Sequence, residues 1–224
     1  MGEAVDTSES LSYASAIALQ QQLSPQVITY DRFSRPIRYV AGVDVGFQDG
    51  YQLTQAAVAV LSFPELEKVE CAMAQSPTRF PYIPGLLSFR EVPTIIQALE
   101  KLNTEVDLIL CDGQGIAHPR RFGLACHLGV LLDQLTIGVA KSRLVGKHRE
   151  VGSQKGAWQP LWDQGEVIGA VLRSRSNVKP VYVSPGHRIS LRSAIDWTLA
   201  CTPKYRLPET TRWADKLASS GKNS

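Results

Sequence analysis

The chain lacks several features that would each have assigned it to a different class of protein. Its four cysteines are scattered, and no two of them form a Cys-x-x-Cys pair, which argues against a zinc site and against a disulfide framework. No apolar run approaches the length of a membrane span, and the first ten residues are acidic and polar, unlike a secretory signal. We therefore expect a soluble protein of the cytoplasm, with reduced thiols and no membrane partner.

The chain also has little excess charge. Its 24 Lys and Arg residues against 21 Asp and Glu residues leave a formal net charge of only +3. Any contact with nucleic acid must therefore come from local basic patches, because the overall charge is too small to provide it. The 224 residues, 44% of them hydrophobic, are enough for one compact core. We expect a single domain over residues 1–224, a monomer, with a tail at 219–224 that frays.

The order of apolar runs predicts a mixed sheet with helices on both faces. Three strands separated by turn residues, Ile37–Val45, Gln55–Phe63 and Leu66–Ala74, favour an antiparallel meander. Further strands are predicted at Asp107–Cys111, Thr136–Ala140, Val167–Arg173 and Val181–Ser184. Helices are predicted at Ser10–Leu23, Ser88–Leu102, Gly123–Gln134, Leu191–Ala200 and Pro208–Ala218. Strand–helix alternation after a meander is typical of an α/β protein and is compatible with a ribonuclease H-like fold.

Two local features of this pattern carry separate expectations. Pro93 is tolerated in its helix only if it lies in the first turn, because proline lacks an N–H and its ring crowds the preceding turn. The region from Gly146 to Gln164 is polar and irregular, so we expect a surface excursion there.

Three acidic residues are the strongest chemical signal. Asp44 and Asp112 each end an apolar run with glycine close by, and Glu91 lies between them in the sequence. A lone acid at a strand end is usually a turn former or a cap, and Glu91 alone could simply favour a helix N-terminus. Two buried like charges, however, need a cation or a proton to coexist. The pair therefore predicts a site for divalent-metal phosphate chemistry, with Glu91 as a third ligand.

A proline-rich loop precedes Glu91. Pro81 and Pro84 stiffen this loop and hold Tyr82 and Ile83 outward. One interpretation is a rigid surface loop whose aromatic residue is tucked into the core. The other is a wedge, since apolar or aromatic tips can enter a base step and hold it open. The residues alone do not decide between the two.

Other residues near the acids have both a plain and a functional interpretation. Gly113 and Gly115 allow a ligand to approach the backbone, whose polar groups could then contact a base edge. His118 begins a basic turn that is either solvated or a phosphate contact. Lys141 follows a strand, where a lysine is usually a surface residue but could neutralise phosphate charge beside metal ions. The basic patch at 143–149 is by default a solvated loop.

Six segments of the chain, taken together, resemble the endonuclease V family of deoxyinosine-specific repair nucleases. In family order they are Val43–Gly46, Pro81–Glu91, Asp112–Gly123, Gly138–Ser142, Lys179–His187 and Arg206–Asp215. The resemblance implies a ribonuclease H-like fold and Mg²⁺-dependent cleavage, with Mn²⁺ able to substitute. It implies a nick at the second phosphodiester bond on the 3′ side of deoxyinosine, in a damaged duplex or single strand, leaving a 3′-hydroxyl and a 5′-phosphate.

The resemblance also implies roles for individual residues. Asp44, Glu91 and Asp112 match the metal-binding acids, and Lys141 matches the basic residue near the scissile phosphate. Where some members carry a histidine near the metal site, this chain has Asp215, which ranks below the other three as a ligand.

The same resemblance implies how the damaged base is held. Tyr82 matches the wedge, next to Ile83 and Pro84. The residues that match positions around the flipped base are Leu87, Gly113, Gly115 and His118.

Three other functions remain open at this point. The glycines after the two aspartates also loosely resemble the phosphate loops of actin-like ATPases, but those proteins need two such domains and are much longer. A nucleic-acid binding module without catalysis is a second alternative, although all three acids are present. An endonuclease for inosine-containing RNA is the third, since discrimination of the 2′-hydroxyl depends on local contacts.

Overall fold

The protein forms an eight-stranded sheet flanked by helices, as seen in a computed structural model that describes residues 12–219. The strands are β1 (Tyr39–Gln48), β2 (Leu53–Ser62), β3 (Lys68–Pro77), β4 (Leu108–Cys111), β5 (Thr136–Ala140), β6 (Trp158–Asp163), β7 (Glu166–Leu172) and β8 (Val181–His187). The α-helices are α1 (Tyr13–Leu23), α2 (Leu87–Leu99), α3 (Leu124–Leu132), α4 (Leu191–Ala200) and α5 (Glu209–Ser219). The tail is predicted to fray from 219, which is the last residue of α5; the rest of the tail, 220–224, and the first two residues of the N-terminal helix prediction lie outside the described residues.

The sheet confirms the predicted mixture of parallel and antiparallel strands. Its order is β3-β2-β1-β4-β5-β8-β7-β6. The first three strands form the predicted antiparallel meander, and β4 and β5 then run parallel to β1. Beyond β5 each strand is antiparallel to its neighbour: β8 to β5, β7 to β8 and β6 to β7. The parallel pairs are the part that matters for the site, because parallel strands end at one edge of the sheet.

The pairing register brings the two aspartates together. Val43 of β1 pairs with Cys111 of β4, and Cys111 pairs on its other side with Gly138 of β5. Asp44 follows Val43 and Asp112 follows Cys111, so the two aspartates are neighbours at one edge of the sheet. The backbone N–H of Asp112 donates to the carbonyl of Val43 at 3.4 Å. The sheet itself thus places Asp44 beside Asp112.

Helices cover both faces of the sheet, as the sequence predicts. Apolar residues of α2 and α3 pack with one set of strand residues, including Ala41, Val43 and Ile109. The other set packs against α4 and α5. Helix α5 lies very close to β1, because a side chain at Gly42 would overlap the backbone of Thr210. This close approach needs glycine at that position. Within residues 12–219, no helix is long and apolar enough to cross a membrane.

Two of the sequence expectations are wrong. Pro93 is the seventh residue of α2 and lies well past its first turn. The helix tolerates it there at the cost of one backbone hydrogen bond, which the carbonyl of Phe89 loses. The expected surface excursion contains β6, an outer strand of the sheet. It is polar in sequence because an edge strand buries little, and Leu161 is its only fully buried residue among those described.

Candidate active site

Three acidic side chains face one small cavity at the edge of the sheet. Asp44 from the β1 strand, Asp112 just after β4 and Glu91 from α2 line a space of about 160 Å³. The rest of its wall is apolar and is made by Val43, Val45, Ile95 and Leu124. We call this space the acid cavity. The structure therefore brings together all three acids that the sequence singled out.

The acid cavity raises the pKa of two of these carboxyl groups. Burial, then the charge of Asp112, raises the pKa of Asp44 to about 7. The charge of Lys141 opposes this shift, and the charge of Asp215 adds to it. Burial, then the charges of Asp44 and Asp112, raises the pKa of Glu91 to about 8. Negative charge is thus costly here unless a cation compensates for it.

The residues of the acid cavity fit a divalent metal in their chemistry. Carboxylate oxygens are the ligands that Mg²⁺ prefers, and an apolar wall strengthens their attraction for a cation. As the side chains lie, no three acidic, histidine or cysteine residues within residues 12–219 converge into a metal-binding group. The carboxylate of Asp112 is instead paired with the ammonium group of Lys141. Asp215 acts on Asp44 through charge but does not line the cavity.

Lys141 is held at this edge by a residue that the sequence did not reveal. Burial lowers the pKa of Lys141, but the hydrogen bond and charge of Asp112 outweigh burial, so the pKa is raised and the amine stays charged. Its backbone carbonyl accepts a hydrogen bond at 2.7 Å from Nη2 of Arg206. The same guanidinium also donates to the carbonyls of Lys179 and Pro180, at 2.8 and 2.9 Å. Arg206 therefore fixes the backbone at the end of β5, where Lys141 lies.

A larger pocket shares a wall with the acid cavity. It has a volume of about 370 Å³, and Glu91 and Asp112 line both spaces. Its other lining residues include six that the sequence singled out, namely Tyr82, Pro84, Leu87, Gly113, His118 and Lys141. We call it the loop pocket. The predicted base-contacting residues and the acids thus meet in one place, with one exception described below.

The aromatic tip of the proline-rich loop is exposed. The side chain of Tyr82 is 66% exposed and stands at the rim of the loop pocket, so the interpretation that it is tucked into the core is wrong. Ile83 instead packs inward, against a small cluster that includes Ala16 and Phe80. The loop therefore has an outer aromatic tip and an inner apolar anchor.

The loop is fastened at a single backbone carbonyl. The carbonyl of Gly85 accepts three hydrogen bonds, from Gln20 Nε2 at 3.0 Å, His118 Nε2 at 2.9 Å and Arg120 Nη2 at 2.7 Å. Nδ1 of His118 accepts from the N–H of Arg120 at 3.2 Å, so its Nε2 carries the proton that is donated. Burial, then the charge of Arg120, lowers the pKa of His118 to about 4, which keeps the ring neutral. His118 thus holds the loop, and it reaches the loop pocket from behind.

Gly115 is the exception among the predicted base contacts. Its N–H donates to Ser184 Oγ at 2.8 Å, and its carbonyl accepts from the N–H of Gly123 at 3.1 Å. A side chain at this position would overlap the backbone carbonyl of Pro185. Gly115 does not line the loop pocket, and both of its backbone polar groups are already used. Its place in the structure is to let the loop pack tightly on β8.

This packing leads to a prediction that separates the two glycines. We expect Gly115→Ala to lower the free energy of unfolding by about 3 kcal/mol, because rigid backbone must move to admit the methyl group. Gly113→Ala is the matched control, since its methyl group would meet the flexible side chain of Leu124 at 3.0 Å. We expect it to cost about 1 kcal/mol or less. Urea unfolding of both variants measures the difference, and equal stabilities would contradict this account of Gly115.

Cleavage of a phosphodiester bond needs compensation of phosphate charge and an activated water molecule. A charged lysine can compensate the phosphate charge. The clustered carboxylates beside it, which fit a divalent metal, can provide the activated water molecule. Their position, beside a pocket that can hold a base, suits a nucleic-acid substrate. The fold and the site together define a divalent-metal-dependent nuclease.

Comparison with known proteins identifies the family. The family model described as Endonuclease V matches residues 21–216. The protein named Endonuclease V from Rippkaea orientalis is 66% identical over 212 residues, which cover 95% of this chain and 92% of that protein. The chain belongs to the endonuclease V family of DNA repair endonucleases.

Solved structures agree with this assignment. The crystal structure of the Endonuclease V from Streptomyces avermitilis has a TM-score of 0.89 at 46% identity, covering 94% of this chain and 92% of that one. The Endonuclease V from Ciona intestinalis, solved in complex with a 23mer DNA containing an inosine followed by a ribo-adenosine, has a TM-score of 0.83 at 32% identity. That match covers 93% of this chain and 95% of the other.

Proposed function

We propose that this protein recognises deoxyinosine in DNA and hydrolyses the second phosphodiester bond on its 3′ side, leaving a 3′-hydroxyl and a 5′-phosphate. The observation that carries the proposal is the wall shared by the acid cavity and the loop pocket, formed by Glu91, Asp112 and Leu124. A base held in the pocket keeps its own strand next to the acids. The inosine-containing DNA bound by the Ciona intestinalis relative supports the same substrate class.

The loop pocket takes the flipped base. Tyr82 wedges the duplex from its exposed position and fills the space that the base leaves, with Ile83 and Pro84 holding the tip. Leu87 and Gly113 line the space for hypoxanthine, and His118 supports it through the carbonyl of Gly85. Extrusion costs least for a weakly paired base, and hypoxanthine pairs weakly. Selection of the lesion thus combines easy extrusion with a fitting pocket.

Asp44, Asp112 and Glu91 would hold Mg²⁺, or Mn²⁺ in its place, with Asp215 as a further acid that does not line the acid cavity. A bound divalent cation supplies Lewis-acid stabilisation of the phosphate and lowers the pKa of water. Lys141 is charged and directed at Asp112, so it can also compensate the charge of a phosphate oxygen near that carboxylate. The apolar walls of the acid cavity limit bulk water and strengthen these interactions.

The partner in this proposal is damaged DNA, as an inosine-containing duplex or single strand. We propose that the protein acts as a monomeric single domain in the cytoplasm. One continuous eight-stranded sheet supports the single domain, since every described strand belongs to it.

A nicking assay tests the proposed function. End-labelled duplexes that differ only in one deoxyinosine are incubated with the protein in Mg²⁺ or in EDTA. We expect a nick only with deoxyinosine and Mg²⁺, one bond beyond the bond that directly follows the lesion. Cleavage of the matched inosine RNA alone would move the function to RNA. Cleavage of neither substrate, with binding intact, would replace the enzyme by a binding module.

A further inference from the structure

A second groove lies at the far edge of the sheet. Lys147, His148, Arg149, Gln159, Pro160 and Trp162 line a space of about 560 Å³. It forms because the chain at Lys147, which precedes β6 in the sequence, pairs with this outermost strand. The N–H of Lys147 donates to the carbonyl of Trp162 at 2.7 Å, and the N–H of Trp162 donates back at 2.8 Å. We call this space the edge groove, and the proposed nicking reaction does not use it.

The edge groove carries positive charge that the protein leaves uncompensated. Within residues 12–219, the side chains of Lys147 and Arg149, which line the groove, have neither a hydrogen bond nor an ion pair. The nearest acids of the sheet edge, Asp163 and Glu166, are both paired with Arg121, at 2.9 and 3.3 Å. Glu150 is exposed and adds one negative charge, which the two cations of the groove outweigh. The groove therefore favours an anionic ligand.

An aromatic ring stands among these cations. The side chain of Trp162 is 48% exposed, although a large indole is normally much more buried. An exposed indole face among free cations is the combination that binds single-stranded nucleic acid, with bases on the ring and phosphates on the cations. Trp158 on the same strand is 38% exposed but does not line the groove. The two tryptophans thus form a natural pair for comparison.

The edge groove is continuous with the loop pocket along the chain. Ser142, Arg143 and Leu144 line the loop pocket, and Lys147 follows only three residues after Leu144. Three residues span at most about 11 Å, which is about three nucleotide steps of a strand at 3.4 Å each. A strand whose base occupies the loop pocket therefore reaches the edge groove within a few nucleotides.

We propose that the edge groove binds an unpaired stretch of the substrate DNA strand as it leaves the loop pocket. Phosphates contact Lys147 and Arg149, and one unpaired base stacks on Trp162. This proposal rests on the proposed function, since it takes the strand to be the one whose base enters the loop pocket. It predicts that single-stranded DNA next to the lesion strengthens binding, whereas duplex DNA, whose bases are already stacked, does so much less.

Fluorescence anisotropy in EDTA tests the groove with deoxyinosine oligonucleotides. One is a minimal substrate, and the others add about six unpaired nucleotides on the 5′ or the 3′ side, within the site size of such grooves. We expect the extension on one side to strengthen wild-type binding, and Trp162→Ala to weaken binding of that substrate about tenfold. Lys147→Ala with Arg149→Ala should reduce the slope of log affinity against log salt by about 1.4, since each phosphate contact on a single strand contributes about 0.7. Binding of the minimal substrate should not change.

The chain offers matched controls for each variant. Trp158→Ala removes a similarly exposed indole from the same strand, and it should leave binding unchanged. Lys101→Ala with Arg192→Ala removes two positive charges at the end of the sheet away from the acids, so it matches the change in net charge. Trp162→Phe keeps an aromatic ring and should retain most of the affinity, which separates stacking from a folding defect.

Several results would overturn the proposal. They are an affinity that does not grow with unpaired extensions, a duplex extension that works equally well, and a Trp162→Ala variant with wild-type affinity. Nicking of the minimal inosine substrate, measured in parallel with Mg²⁺, reports on the proposed function alone. If the protein does not nick the minimal substrate but unpaired extensions still strengthen binding, the nuclease assignment is refuted and the proposal for the edge groove is retained.

Discussion

Replacement of Asp44 by Asn is expected to slow nicking of deoxyinosine DNA about 1,000-fold, because loss of a metal ligand removes several kcal/mol of transition-state stabilisation. The amide has the size of the carboxyl group but carries no charge. Burial, then the charge of Asp112, raises the pKa of the Asp44 side chain to about 7, so the change also relieves repulsion. We therefore expect the variant to fold and to bind inosine DNA nearly as well as the wild type.

Single-turnover nicking and anisotropy measure the two quantities separately. Asp196→Asn is the matched control, since Asp196 lies on α4 and is half exposed, paired only with Arg192 among the described residues. It should behave as the wild type in both assays. An equal loss of nicking and binding in Asp44→Asn would count against a purely catalytic role. Wild-type nicking would remove Asp44 from the list of metal ligands.

The metal-free protein is expected to lose stability as the pH rises from about 6.5 to about 8. Asp44 and Glu91 have folded-state pKa values of about 7 and 8, against 3.8 and 4.5 for the unfolded groups. Across this window the folded state still holds protons that the unfolded state has released, so raising the pH favours unfolding. Each such proton costs up to about 1.4 kcal/mol per pH unit.

Below pH 6.5 the buried histidines act in the opposite direction. Burial lowers the pKa of His118 and of His127 to about 4, so the unfolded state takes up their protons first as the pH falls. Their contribution to stability is complete above about pH 6.5, the ordinary value, and is lost as the pH falls towards 4. The window between pH 6.5 and 8 therefore isolates the two acids.

Thermal unfolding in EDTA and in Mg²⁺ measures this effect. Mg²⁺ should raise the melting temperature more at pH 8 than at pH 5.5, because bound metal replaces the protons that the acids would otherwise hold. The Glu91→Gln variant should show a flatter dependence on pH in EDTA, and Asp196→Asn should not. An equal effect of Mg²⁺ at both pH values would refute the account of the acid cavity.

The position of the two aspartates could be predicted because it depends on where neighbouring parallel strands end. Asp44 and Asp112 each follow an apolar run, and parallel neighbouring strands must end at the same edge of a sheet. The spacing of apolar residues reveals such strands without knowledge of their partners. Thr136–Ala140, whose every residue is buried, was predicted with the observed bounds for the same reason.

The contacts that hold the site in place could not be predicted in this way. The hydrogen bonds from Gln20 to Gly85 and from Arg206 to Lys141 each join residues 65 positions apart and end on backbone carbonyls. Such bonds leave no periodic pattern in a sequence. The close packing of Gly115 on Pro185 is equally invisible, because glycine is compatible with both an open pocket and a crowded one. Tertiary contact alone distinguishes these cases.

The carbonyl of Gly85 has a consequence for how the protein meets its substrate. Three donors hold it, and one of them, Gln20, comes from helix α1, one residue before the segment that matches the family model begins. The conformational entropy of the tip that carries Tyr82 is therefore lost largely during folding, and little of that cost remains for the moment of binding. A shortened protein that begins at residue 21 would move this cost from folding to every encounter with DNA.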